Sequence, residues 1–385
     1  MDPPSLLWRK AAALGSLWAS AEIVLGSFLH NARIPFGGHL LTALGIMLMT
    51  GGRRLWPEPG LLWRSALVCA AMKSISPSAF IIGPMLAISI EGFLMEAALR
   101  VLGEGAVGCL TGGVIAMIWT FLQPFLRQFL FYGPDAALLY AQGWRQIAQW
   151  SGFAGASLWT PALSLLAANA VLGAAAAAAG MRLGRWEREN GEPRKETKPS
   201  ALPPPVGGSP APASRFPSPE QGGRPPFLTI LHVALVILAM AATQRLPMPW
   251  LLLGTGLYTG WGLSRQTLVF KRLRRPGLWA GIVGAALLAG LILGKPSLGL
   301  RMGLRALLLT VGFACVSEEL RHSALIGLLE RHGGALFIDT VRRAFRTFPG
   351  LLSSLPTGRE MARRPMNSLR RMLAQAPALL DDLDR

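Results

Sequence analysis

Long blocks of apolar residues alternate with short polar stretches along most of this chain. Six blocks precede residue 188, and four more follow residue 226. Most of the blocks are near the roughly 20 residues that a helix needs to cross a bilayer. The pattern predicts an all-α polytopic membrane protein, with a six-helix bundle over residues 1–187 and a second four-helix membrane unit over residues 227–325.

The two groups of blocks are separated by a segment of very different composition. Residues 188–226 read RENGEPRKETKPSALPPPVGGSPAPASRFPSPEQGGRPP. Proline, glycine and charge leave this segment with little apolar surface to bury. We therefore expect a disordered cytoplasmic linker that joins two membrane units.

Residues 326–385 form a strongly basic end to the chain. Within FIDTVRRAFRTF, at residues 337–348, the apolar side chains fall on one face of a helix and the arginines largely on the others. The pattern predicts a basic amphipathic cytoplasmic tail. Such a helix can dock into a groove of a partner protein or lie on anionic lipid, and the sequence leaves both interpretations open.

Composition and charge agree with a membrane protein. The 385 residues are 51% hydrophobic and 15% charged, with a mean hydropathy of +0.40 and a formal net charge of +18. The positive charge is concentrated in the stretches between blocks and in the tail. With both termini in the cytoplasm and alternating spans, the densest Arg/Lys clusters all fall inside, as the positive-inside rule expects. The charge therefore predicts topology, and we expect no nucleic-acid partner.

Two smaller features refine this picture. Residues 134–150 mix polar and aromatic side chains, which predicts an interfacial helix along the membrane surface. Glycine pairs such as Gly256 and Gly260 are most simply interpreted as helix-packing contacts.

Four ionisable residues lie within or near the ends of spans: Glu22, Lys73, Glu91 and Glu96. An ionised side chain at the bilayer centre costs at least about 2.5–3.5 kcal/mol on insertion scales, so it normally faces a cavity or a partner. Arg100 is close enough to neutralise Glu96 at a helix end. Glu22 and Glu91 have no such neighbour, and Lys73 is available to either. The three residues are candidates for a substrate pocket, with a purely structural ion pair as the alternative.

Two polar segments are expected on the outer side of the first bundle. HNARIPFGG (residues 30–38) follows the first span, and SPSAFIIGPMLAISIEG (residues 76–92) contains helix-breaking residues at membrane depth. We expect both segments to converge on one external pocket, gated by Asn31 and Arg33. A simple turn, with Arg33 contacting lipid headgroups, is the alternative.

This arrangement resembles the energy-coupling factor (ECF) transporters. Residues 8–185, with the polar loop after span one and the small-residue pattern of span four, resemble a substrate-binding S component. Residues 227–360 are similar to a T component, in which cytoplasmic helices couple the membrane unit to two ATPases; MARRP (361–365) and RRAFRTF (342–348) approximate its coupling signatures.

The resemblance implies a fused importer in the bacterial inner membrane for a small solute, such as a vitamin-like compound or another organic metabolite. Separate ABC-type ATPase subunits would bind the tail through Arg342, Arg343, Phe345, Arg346 and Phe348. It implies no enzymatic activity of this chain, and no cofactor or metal. The fragment GLILGKPS agrees, because Pro296 stands where a P-loop needs Ser or Thr.

Two other classes of function compete with transport. Glu318-Glu319, beside Arg321 and His322, resemble the paired-glutamate motif of CAAX-type membrane proteases, which needs further histidines such as His39 or His232 on other spans. A non-transporting membrane scaffold is the third possibility. A scaffold has no need of the charges in spans one, three and four.

Overall fold

The computed structural model describes residues 6–73, 82–152, 157, 159–190, 226–265, 276–322 and 334–383. About 90% of this part is helical, and it contains no strand. Five of its helices are long and apolar enough to cross a membrane: Leu6–Asn31, Ala106–Tyr132, Thr160–Asn190, Phe227–Arg245 and Pro296–Glu319. The chain is thus an all-α, multi-pass membrane protein. Its division into six spans plus four spans stays a prediction.

The helices before the linker correspond to the first group of apolar blocks. They are α1 (Leu6–Asn31), α2 (Gly37–Leu55), α3 (Leu61–Lys73), α4 (Ile82–Leu102), α5 (Ala106–Tyr132), α6 (Asp135–Trp150) and α7 (Thr160–Asn190). The predicted interfacial segment forms α6, which has half of its residues exposed and contacts α5. The predicted disordered linker falls largely on residues 191–225, which lie outside the described residues.

The helices after the linker form a second group and a tail. The second group is α8 (Pro226–Arg245), α9 (Met248–Arg265), α10 (Pro276–Ile292) and α11 (Pro296–His322). The tail is α12 (Ala335–Ser354), α13 (Gly358–Arg363) and α14 (Pro365–Asp382).

Helix α1 is the central helix of the first group. Every residue from Ala11 to Glu22 is buried, because α1 packs against α2, α3 and all three tail helices. Small residues let neighbours come close. The ring of Trp18 lies directly against Gly45 of α2, where a Cβ would stand 2.8 Å from the indole.

Glycine allows α7 to pack tightly between α2 and α5. A Cβ on Gly113 would stand 2.7 Å from the carbonyl oxygen of Gly173, and a Cβ on Gly180 would lie 2.8 Å from the Cα of Met47. The prediction that Gly256 and Gly260 are packing contacts is wrong. No described atom lies within 4 Å of a Cβ built at either one. Their spacing is right, but α9 turns this face away from its neighbours.

The tail packs into the core of the first group. The apolar face predicted for residues 337–348 is confirmed as a helix face, and it points inwards: Val341, Ala344, Phe345 and Phe348 are buried in the same hydrophobic cluster as α1 and α3. Phe337 lies 5.8 Å from Trp8, ring centre to ring centre. Thus the tail is part of the first bundle.

The second group is built around α11, which contacts α8, α9 and α10. One arginine links this group to the first. The Nε atom of Arg305 donates to the carbonyl oxygen of Leu130 in α5 over 2.8 Å, and its Nη1 atom donates to Thr243 in α8 over 3.2 Å. Close to this link, the rings of Phe131 and Phe313 lie 6.0 Å apart.

Candidate functional site

Two of the predicted site residues form an ion pair between α1 and α3. Lys73, the last residue of α3, donates from Nζ to Oε2 of Glu22 over 2.9 Å. The Glu22 side chain is 9% exposed and that of Lys73 17%. The two helices run in the same direction, which brings a side chain from the middle of α1 to the end of the shorter α3.

The third predicted residue, Glu91 of α4, is buried among hydroxyl groups. Its Oε1 atom lies 3.1 Å from Oγ1 of Thr42 in α2 and 3.1 Å from Oγ1 of Thr120 in α5. The two hydroxyls are themselves 3.0 Å apart. Glu91 therefore joins three helices through neutral partners.

These two groups belong to one polar cluster. The buried thiol of Cys69, on α3, is within electrostatic reach of Glu22, Lys73 and Glu91. The charges of Glu22 and Glu91 are also close enough to repel each other. We call the set Glu22, Thr42, Lys73, Glu91 and Thr120 the polar cluster of the first bundle. It draws on five helices, α1 to α5.

The polar cluster has more hydrogen-bond acceptor sites than donor protons. Each threonine hydroxyl carries one proton, whereas a carboxylate offers about four lone-pair sites. Thr120 is also within 3.2 Å of the carbonyl oxygen of Ala116, so its proton has competing acceptors. The cluster also carries two acidic side chains and one basic side chain. This chemistry suits a ligand that brings hydrogen-bond donors or positive charge.

Asn31 and Arg33 do not join this cluster. Both are exposed, and Asn31 ends α1 nine residues beyond Glu22, which is about 14 Å along a helix. Arg33 has a left-handed backbone with φ of 51°. The amides of Arg33 and Ile34 donate to the carbonyls of His30 and Leu29 over 3.1 and 3.0 Å. These bonds form a Schellman cap, so the turn terminates α1.

The second predicted gate segment is only partly described. Residues 76–81 of SPSAFIIGPMLAISIEG lie outside the described residues, and α4 begins at Ile82. Pro84 is exposed near the start of that helix. Whether the two segments converge therefore stays a prediction.

Glu96 has a local structural role that the sequence did not reveal. It accepts hydrogen bonds from the amide of Gly60 over 2.5 Å and from the amide of Leu62 over 3.1 Å, at the first turn of α3. The expected partner Arg100 is present, with its Nε atom 3.7 Å away. Glu96 therefore satisfies free amides at the start of a neighbouring helix.

The predicted partner-binding residues of the tail separate into two kinds. Phe345 and Phe348 are buried against the first bundle. Arg343 is engaged within the tail, because it donates to Asp339 over 2.9 Å and to the carbonyl oxygen of Leu383 over 3.1 Å. Arg342 is half-buried and Arg346 is exposed. Of the five, Arg346 is the most accessible to another molecule.

The two further histidines of the competing protease hypothesis lie in different groups of helices, His39 on α2 of the first bundle and His232 on α8 of the second group. His232 is buried, with Nδ1 3.2 Å from the hydroxyl of Tyr258 and its ring stacked 4.8 Å from that of Trp261. Glu318 and Glu319 are also buried. In the ranges that the structure describes, no three His, Cys, Asp or Glu side chains are grouped to hold a metal ion.

The residues that sequence reasoning missed are Thr42 and Thr120. A threonine inside an apolar span commonly bonds to its own helix backbone, as Thr50 does to Ile46. Nothing in the spacing along one span shows that two such residues from different spans meet a glutamate.

Comparison of this chain with protein-family models, with curated proteins and with solved structures finds no match.

Proposed function

We propose that this chain is a membrane transport protein for a small solute, with the polar cluster of the first bundle as its solute site. In this proposal the first bundle acts as an ECF-type S unit and the second group with the tail acts as a T unit. ATP is hydrolysed by separate ABC-type subunits. The chain lies in a bacterial inner membrane with both termini in the cytoplasm.

The observation that carries the proposal is the position of Glu91. Among the described residues, the hydrogen bonds of this buried carboxyl group come from neutral hydroxyls, and Lys73, the cation of the cluster, is bonded to Glu22. The desolvation of Glu91 is therefore poorly compensated, and Glu91 contributes little to the stability of the fold. The arrangement favours a ligand that supplies donors or positive charge. Because Glu91 and Glu22 are both buried, the solute enters when the helices around the cluster move apart.

The packing of the tail supports a coupling role. Helices α12 to α14 follow the last membrane helix of the second group, yet they pack on α1, α2, α3 and α7 of the first bundle. Movement of the tail is therefore transmitted directly to α1, which carries Glu22. Arg346 provides an exposed contact point for an ATPase subunit.

Binding to the full-length chain in detergent tests this function. A panel of small organic solutes, weighted towards amines and hydroxyl-rich metabolites, is screened by ligand-induced thermal stabilisation. We expect a stabilising solute whose effect is lost in Glu91→Gln and in Thr42→Val/Thr120→Val. A charge-assisted hydrogen bond contributes about 1.5–3 kcal/mol, so each loss corresponds to roughly tenfold or more in affinity.

The matched control is Glu104→Gln. Glu104 is exposed and pairs with Arg53 at the opposite end of the bundle, so its removal leaves the polar cluster intact. The control keeps full binding under this proposal. A solute that stabilises the parent, Glu22→Gln and Glu91→Gln equally contradicts the proposed site.

A further inference from the structure

Three arginines and one glutamate line a cavity of about 280 Å³ at the ends of α2 and α7. The lining residues are Arg54, Arg185, Arg188 and Glu189. Arg54 stands in the last turn of α2, next to Leu55, where that helix ends. Arg185 and Arg188 are three residues apart in the last turns of α7, so they project from one side of it. We call this cavity the arginine pocket.

Close helix packing builds the arginine pocket. Gly184 lies directly against the end of α2, because a Cβ there would stand 2.8 Å from the Cβ of Arg54 and 2.8 Å from the Cα of Gly51. A larger residue at position 184 would separate the two helices. The glycine therefore holds Arg54 beside the arginines of α7.

The guanidinium of Arg54 lacks a strong acceptor. Its Nε atom is buried without a hydrogen-bond partner among the described residues, its Nη2 atom donates to the thioether sulfur of Met181 over 3.4 Å, and the guanidinium is also within hydrogen-bond reach of the Cys109 thiol. A thioether is a weak acceptor. The neighbouring Arg53 differs, since it pairs with Glu104.

Charge in the arginine pocket is unbalanced. Within the described ranges, Arg54, Arg185 and Arg188 form no ion pair, and Glu189 alone lines the pocket with opposite charge. Three guanidinium groups held close together repel one another unless an anion lies between them. The C-terminal ends of helices favour cations, but that preference does not explain a cavity with a buried, unbonded Nε atom.

We propose that the arginine pocket binds a phosphate group. Planar guanidinium groups donate in pairs to phosphate oxygens, which makes arginine the preferred residue for such recognition. The pocket lies where α2 and α7 end, and α7 is long and apolar enough to cross a membrane, so we expect the pocket near the lipid headgroups. The phosphate of an anionic lipid headgroup is the source that this position favours. This site is separate from the proposed solute site.

Lipid binding to the full chain tests the proposal. The protein is stripped of lipid in mild detergent and titrated with phosphatidic acid, phosphatidylglycerol or phosphatidylcholine in mixed micelles, and separately with inorganic phosphate. Binding is measured by thermal stabilisation and by lipid retained in native mass spectrometry. We expect the anionic lipids to bind more strongly than phosphatidylcholine. In Arg54→Gln/Arg188→Gln their affinity falls by about tenfold for each arginine lost.

Two further variants keep the result interpretable. Arg359→Gln/Arg363→Gln removes the same charge from two exposed arginines of α13, and it retains parental binding under the proposal. Arg188→Gln alone changes an exposed side chain, so it folds normally and still loses affinity. Saturation by inorganic phosphate alone identifies a free phosphate as the ligand and supports the phosphate chemistry. Equal lipid binding by the parent and both pocket variants, or equal binding of phosphatidylcholine and phosphatidylglycerol, overturns the proposal.

Discussion

At the scale of single residues, the charges inside the first bundle have different partners and therefore different consequences. Glu22 is bonded to a cation, Glu96 to backbone amides and Glu91 to hydroxyls. The first two arrangements compensate the carboxylate charge locally. The hydroxyl groups around Glu91 compensate its charge least, and for this reason we assign Glu91 to ligand binding.

The pair between Glu22 and Lys73 provides a prediction about stability. Lys73→Met leaves the buried Glu22 without its cation, and we expect the free energy of unfolding to fall by about 3 kcal/mol. Glu22→Gln/Lys73→Met removes both charges, so most of this loss is recovered. Denaturant titration in detergent micelles measures both effects.

The control for this cycle is Arg371→Met. Arg371 of α14 pairs with Glu360 of α13 over 2.9 Å, the two side chains are 65% and 42% exposed, and exposed pairs contribute at most about 1 kcal/mol. We therefore expect a small change. If the single and double variants at Glu22 and Lys73 lose equal stability, the two side chains are not coupled, and our assignment of Lys73 as the partner of Glu22 is wrong.

At the scale of helices, the distance between two packed helices depends on whether small residues lie on the faces that meet. Gly180 of α7 lies against the backbone of Met47 and the hydroxyl of Thr50. Gly180→Leu forces α2 and α7 apart, and overpacking of this kind costs about 1–3 kcal/mol or more. We expect a lower melting temperature and less monodisperse protein.

Gly256→Leu is the matched control for this substitution. It adds the same side chain to another helix, α9, at a position where no described atom lies within 4 Å of a built Cβ. Expression and melting temperature are compared for both variants. A loss of stability at Gly256 as large as that at Gly180 would contradict the packing described for α7.

Hydropathy predicted where helices occur, because an apolar block must satisfy its backbone internally in lipid. It did not predict their neighbours. Glu96 bonds to amides 36 and 34 residues earlier, and Arg305 to a carbonyl 175 residues earlier. Such contacts depend on how helices rotate and pack, which apolar spacing along one helix does not determine. For the same reason, the sequence does not show that Gly180 is packed against another helix and that Gly256 is not.

At the scale of the whole molecule, the end of the chain returns to its beginning. Apolar periodicity identified the inner face of α12, but it gave no sign that the matching surface belongs to α1 and α3. Phe345 is 2% exposed and Phe348 5% exposed in that interface. The tail follows the second group in the chain and packs on the first bundle. It therefore connects the two groups through noncovalent contacts, in addition to the linker.

Hydrogen exchange tests whether this tie holds α1 in place. In a packed core, each Phe→Ala change costs about 3–5 kcal/mol. In Phe345→Ala/Phe348→Ala we expect amide exchange in α1 to rise by at least about tenfold, although the substitutions lie more than 300 residues away in sequence. Arg346→Gln, on the exposed side of the same helix, leaves exchange in α1 unchanged. Faster exchange confined to α12, with α1 as in the parent, would mean that the tail rests on the bundle without stabilising it, and the coupling role proposed for the tail would lose its structural basis.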